Sequence, residues 1–300
     1  MPNDPTDPGS PRVVAADDSI VAVYKPPRCH SAPLAEGELS LAAWVFERFP
    51  DAALRGEPAA AGRLGREGGL LHRLDYETSG LVLFARSRAA LDFLLAEQEG
   101  GRVRKDYLLL AMPVPGGLEG SRPRLGTVDG VAAGRWEAAI RVAFSAESAM
   151  EALEPLAACL PPGGEASVAC RFRPFGPGAA RVACLHPEAD LPAKKPRRGS
   201  PERVYETLLR GLGPAAPVGA PRRLPPPFDG LEFPDRPVLA LEASLRRGFR
   251  HQIRAQLAWL GLPLVGDEAY GGAHAERLCL HAARLEFLHP ATGETTVLEV

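Results

Sequence analysis

Long apolar runs are missing from this 300-residue chain, and none approaches the roughly 18 residues that a membrane-spanning helix needs. Cysteine is sparse as well. Cys29, Cys159, Cys170, Cys184 and Cys279 are scattered, odd in number and never in C-x-x-C spacing. That pattern speaks against a zinc site or a disulfide framework and for a reducing compartment, the cytoplasm. Neither sign of charge dominates: the formal net charge is −2, so overall charge gives no support for a nucleic-acid partner. The opening stretch, MPNDPTDPGSPR, has neither the basic start nor the apolar centre of a secretory signal. Its polar, proline-rich composition predicts a disordered tail over residues 1–12.

What is present is enough apolar material, 45% of residues, to bury one large core or two modest ones. Charge is also unevenly spread. From Lys194 to Arg254 there are thirteen Lys/Arg against six Asp/Glu, a basic stretch able to bind phosphates whatever the net charge. Ser19–Tyr24 reads as a buried strand closed by Lys25-Pro26-Pro27. Leu41, Trp44, Val45 and Phe49 have helical spacing and stop at Pro50. The run Leu81–Ala85 is short enough for a central strand. Ser87 caps a following helix with Leu91, Leu94 and Leu95 on its apolar face and Gly100-Gly101 at its end. Tyr107–Ala111 is a further buried strand.

Between 113 and 237 proline and glycine are dense, and only short candidate strands stand out, at Ala166–Phe172, Val182–Leu185 and Val204–Leu209. Regular pattern returns with a strand over 238–245, a helix over 251–260, a strand from Cys279 to Phe287 and a last strand, TTVLEV. Strands outnumber helices without βαβ alternation, so the class is α+β with a mixed or antiparallel sheet. The expected organisation is a single domain over 13–300.

Two segments carry chemistry. In His72-Arg73-Leu74-Asp75-Tyr76-Glu77-Thr78-Ser79-Gly80 a carboxylate sits in a polar loop that feeds a buried strand, a good mount for a reactive group. The same Asp75 could equally make an Asx turn. In Gly248-Phe249-Arg250-His251-Gln252-Ile253-Arg254, Arg250 and Arg254 share a helix face and suit two-pronged contacts to carboxylate or phosphate.

Together with Lys105-x-Tyr107, the G-x-P-x-x-G-D-x-x-Y-G run at Gly261–Gly271 and the motif Leu280–Pro290, these motifs resemble the RluA family of pseudouridine synthases. The resemblance covers about 20–112 and 238–300, in the family's order. It implies the pseudouridine synthase fold: a bent, eight-stranded mixed sheet with flanking helices and a central active-site cleft. It also implies a cofactor-free isomerase acting on a uridine in tRNA or ribosomal RNA. Asp75 would be the catalytic aspartate, Arg254 its ion-pair partner, Tyr107 the residue that stacks on the target base, and Leu280 an apolar support under the site. Arg73, Thr78, Arg250, His251 and Gln252 fall among the expected substrate contacts. RNA is the implied partner, with no membrane, metal or obligate protein partner.

Where the family has T-G-R-T before H-Q-I-R, this chain has Arg247-Gly248-Phe249-Arg250, which removes an arginine at 249. The middle region, 113–237, matches poorly. A non-catalytic RNA-binding relative would not need Asp75, Tyr107 and Arg254 together. A metal hydrolase using His72 and Asp75 would need ligands that the other histidines do not supply.

Overall fold

The computed structural model describes residues 9–35, 37–56, 65–114, 145–187, 203–214, 226–228 and 237–300, with 135, 138, 139, 141–143 and 231. In chain order its main elements are β1 (Arg12–Ala16), β2 (Ile20–Lys25), α1 (Leu41–Arg48), β3 (Ser79–Ala85), α2 (Arg88–Glu99), β4 (Arg104–Ala111), α3 (Ala149–Cys159), β5 (Glu165–Phe175), β6 (Arg181–Leu185), β7 (Tyr205–Pro214), β8 (Leu239–Leu245), α4 (Gln252–Trp259), β9 (Leu280–Leu288) and β10 (Thr295–Glu299). The class is α+β, as expected. Among the described residues there are ten strands, where the resemblance implied eight, and the chain forms two compact units.

The first unit comprises Met1–Tyr107 and His281–Val300. Its strands run β1-β2-β3-β9, with β10 beyond β9. Every residue of β2 and β3 is buried, as befits strands covered on both faces. The pairing of β3 with β9 is parallel, through Ser79↔His281 and Gly80↔Ala282, while the other pairings here are antiparallel. Gly80 holds φ at +119°, and a Cβ there would lie 2.2 Å from the Ala282 carbonyl oxygen, so no larger residue fits this contact. Ser40 caps α1 by accepting from the Ala43 N–H, and Ser87 caps α2 by accepting from the Ala90 N–H. Leu91 and Leu94 of α2 pack with Leu81 and Leu83 of β3 and with Leu285 and Phe287 of β9. Residues 1–8 of the expected tail lie outside the described residues, and Arg12 already opens β1.

The second unit is Leu108–Leu280. Within it β8, β7, β5 and β6 follow one another, all antiparallel. The three short candidate strands of the middle region are therefore consecutive neighbours of one sheet. Helix α3 was not foreseen there. Pro155 interrupts its sequence pattern, although Ser148 caps its start by accepting from the Glu151 N–H. Helix α4 lays Ala255 and Ala258 against Cys170, Phe172, Val182 and Cys184 of the β5–β6 hairpin. Two glutamines one turn apart bind this helix to the strands. Gln252 Nε2 donates to the Glu206 carbonyl and Gln256 Nε2 to the Val168 and Tyr205 carbonyls.

Candidate active site

The loop bearing Asp75 is fixed through its backbone. Ser31 Oγ donates to the Leu74 carbonyl at 2.9 Å and accepts from the Leu74 N–H at 3.0 Å, gripping the residue before Asp75 from both sides. The residue after it, Tyr76, offers its carbonyl to the Cys29 N–H and to Lys25. Lys25 is wholly buried, and its Nζ also reaches the carbonyls of Pro26 (2.9 Å) and Cys29 (2.7 Å). The Asp75 carbonyl accepts from the Thr78 N–H, closing a turn. Thr78 is 2% exposed, and its Oγ1 has no hydrogen-bond partner among the described residues. Asp75 itself is half-buried, and Arg73 is exposed with one bond to Glu67 (3.1 Å). Just beyond the loop, buried Ser79 and His281 meet at 2.9 Å (Oγ to Nδ1), which locks the start of β3 to β9.

Tyr107 belongs to the same unit as Asp75 and is buried on β4. Burial, and then the negative charge of Asp75 nearby, push its phenol well above the ordinary tyrosine range, with Asp106 adding a smaller push. The phenol is thus a neutral, flat, desolvated face close to the carboxylate. Asp106 is held by Arg104 and Arg284. Lys105 shares Tyr107's side of the strand, two residues away. It is buried, with its Nζ 3.5 Å from Gln98 Oε1.

Burial lowers the Lys105 ammonium from 10.5 to about 8. The folded chain therefore holds this proton less tightly than the unfolded chain, and the resulting penalty is complete below about pH 8. It fades as pH rises to the unfolded value of 10.5, so this group makes stability climb across that window. We expect Lys105→Met to be more stable than wild type at pH 7, by an amount bounded at about 3 kcal/mol. The two urea midpoints should converge between pH 8 and 10.5. Parallel midpoint curves would refute a desolvated Lys105.

In the second unit Arg254 is 12% exposed in its side chain and forms a two-pronged pair with Asp267, Nε to Oδ2 and Nη2 to Oδ1, both 2.8 Å. Asp267 follows Gly266, whose φ of +79° and 2.0 Å clearance from the Arg277 carbonyl exclude a side chain. Tyr270 lies under the Arg254 guanidinium, 5.2 Å from it. The Tyr270 Oη accepts from the Val182 N–H and lies 3.0 Å from His251 Nδ1. His251 adopts the left-handed conformation, φ 56°, at the start of α4.

Sequence reasoning missed Asp267 and Tyr270 as partners of Arg254, although both stand in the G-D-x-x-Y-G motif. Gln252 was expected to touch substrate. It is 2% exposed and bonded to Phe249, Glu206 and Thr207, the arrangement of an internal strut. Arg250 is exposed and donates to the Ala179 and Arg181 carbonyls, buttressing the β5–β6 turn. Phe249, where an arginine was expected, stacks on Phe172 with centroids 4.9 Å apart and planes 2° from parallel. Leu280 is buried at the start of β9. Among the described residues no three His, Cys, Asp or Glu side chains converge as a metal-binding group.

Comparison with known proteins agrees with the motifs. An RNA pseudouridine synthase of Chloroflexus aurantiacus, itself described as uncharacterized, is 26% identical over 83% of this chain and 52% of its own length. The ribosomal large subunit pseudouridine synthase C of Salmonella typhimurium is 25% identical over 96% of this chain and 65% of its own. A tRNA pseudouridine synthase C of Vibrio parahaemolyticus is 35% identical over 33% of this chain and 42% of its own. The chain thus spans about half the length of the Chloroflexus relative. Human RNA Pseudouridylate Synthase Domain Containing 1 shares the fold, with a TM-score of 0.56, 18% identity, and coverage of 99% of this chain and 86% of that one. The model of the RNA pseudouridylate synthase family matches residues 19–259, most of the sequence, and the chain belongs to that family.

Proposed function

We propose that this chain isomerises a uridine of tRNA or ribosomal RNA to pseudouridine, with Asp75 as the catalytic carboxylate. The supporting observation is the charge of Asp75 acting on the buried phenol of Tyr107, a carboxylate beside a flat, dry surface. A uracil taken out of its stack can lie on such a surface while the reaction proceeds. Arg254 is assigned a part in the reaction as a cation that Asp267 and Tyr270 hold in place. The Thr78 hydroxyl is assigned to a polar group of the nucleotide. Arg73 and His251 are assigned to the RNA around the target.

In the reaction the N1–C1′ glycosidic bond breaks, the uracil turns, and C5 bonds to C1′. The hydrogen of C5 leaves to solvent, and N1 gains a proton. Atoms balance without a redox partner, a phosphoryl donor or a metal, so the proposal includes no cofactor. Both target classes are open to it: one relative is named for large-subunit ribosomal RNA and another for tRNA. The proposal puts the reaction in a reducing compartment, the cytoplasm, a reading that the scattered cysteines support.

The test is release of tritium into water from RNA labelled at C5 of uridine, using total RNA from a strain that lacks the gene. Release should occur without nucleotide or reductant and should persist in a chelator. Silence from well-folded protein would favour a non-catalytic RNA-binding relative, and release abolished by chelator would favour a metal enzyme.

A further inference from the structure

The β5–β6 hairpin has two unlike faces. One carries Phe172, Val182 and Cys184 into the core beneath α4. The period of two places Arg171, Arg173 and Phe175 of β5 on the other, with Arg181 of β6 directly opposite Phe175. Residues 166–185 hold these three arginines and no acidic residue. Arg173 is exposed, and Arg171 Nε is buried without a hydrogen-bond partner among the described residues. Phe175 is 42% exposed, and the Arg181 guanidinium lies 5.0 Å from its ring centroid.

This surface is held in place from behind. Arg181 Nη1 donates to the Ala269 carbonyl at 3.0 Å, and Arg250 Nη2 donates to the Ala179 and Arg181 carbonyls at 2.5 and 3.2 Å. Phe249, stacked on Phe172, anchors the segment that carries Arg250. An exposed ring with a cation beside it, on a braced hairpin with no acidic residue from 166 to 185, has the makings of a stacking platform for nucleic acid.

We propose that this face of the second unit binds single-stranded RNA, with an unpaired base stacked on Phe175 and neighbouring phosphates on Arg171 and Arg173. The inference rests on RNA being the substrate and supplies a second grip on it. A duplex keeps its bases stacked on each other and offers Phe175 no free face, so the site selects unpaired segments.

The test uses the full chain and two fluorescein-labelled probes, a 12-nucleotide oligouridine and a 12-base-pair RNA duplex, with binding followed by anisotropy over a range of salt. Phe175→Ala should weaken oligouridine binding roughly tenfold or more and duplex binding much less. Arg171→Gln with Arg173→Gln should reduce the steepness of the salt dependence by about 1.4 in the log–log slope, about 0.7 per phosphate released. Phe175→Trp should keep the affinity and show tryptophan quenching on oligouridine binding beyond that of wild type. Oligouridine affinity within twofold of wild type for Phe175→Ala, an equal loss on duplex, or no added quenching at position 175 would each overturn the proposal. Tritium release by wild-type protein, measured in parallel, separates the two readings. Release together with an indifferent Phe175 removes only the platform, whereas a weakened Phe175→Ala without release keeps the platform and removes the isomerase.

Discussion

Asp75→Asn is expected to stop tritium release, with a rate loss of at least about 10²–10⁴-fold, while folding and RNA affinity stay near wild type. The substitution keeps the shape of the side chain and removes only its charge and basicity. The backbone of the loop does not depend on that charge. Leu74 is gripped by Ser31, Tyr76 by Lys25 and Cys29, and the turn is closed by the Thr78 N–H on the Asp75 carbonyl. A half-buried loop carboxylate should therefore change stability by no more than about 1 kcal/mol. Urea denaturation and probe binding check that side of the expectation. A variant that still releases tritium at the wild-type rate would remove Asp75 from the mechanism. One that unfolds would show that the loop is held by the carboxylate after all.

Asp267→Ala is expected to destabilise the protein severely. Arg254 and Asp267 are 12% and 1% exposed in their side chains, so removing the carboxylate takes the two-pronged partner from a guanidinium in a place water hardly reaches. Breaking a pair buried to this degree costs on the order of 3–5 kcal/mol, a fall in melting temperature of about 10 °C for a chain of this size. Activity should fall as well, because Arg254 would lose the contact that sets its orientation. Arg254→Met strands the opposite charge and should be about as destabilising. The double variant, with neither charge left, should be less damaged than the sum of the two. Thermal melts of the three proteins decide the matter, and additive losses would mean that the pair is not coupled.

The strands and helices of the first unit were legible because their signals are local. Ser87 before an apolar-periodic run, Gly100-Gly101 after it and the unbroken apolar stretch of β3 each name their own structure. Asp75 and Tyr107 were legible only through motif resemblance, since a lone aspartate in a loop also reads as a turn former. The middle region hid its order for physical reasons. The partners of β5 are β6 and β7, and proline- and glycine-rich sequence gives no hint of register between them. Pro155 masks α3, and the spacing around Phe249 gives no sign that its ring stacks on Phe172. The roles of Asp267 and Tyr270 depend on long-range contact with Arg254 and Val182, which spacing alone does not reveal.

Lys25 carries a consequence for substitution by residues of like charge. Its ammonium meets three carbonyls, those of Pro26, Cys29 and Tyr76, at one nitrogen. Three hydrogens splayed like the legs of a tripod match such a cage; the flat fork of a guanidinium points its hydrogens into a plane and away from a common centre. With no exposed surface, the side chain also has no room for the bulkier head. Lys25→Arg should therefore behave as a drastic change, loosening the peptide on either side of Asp75 although the formal charge of the protein is unaltered. Shape, here, outranks sign.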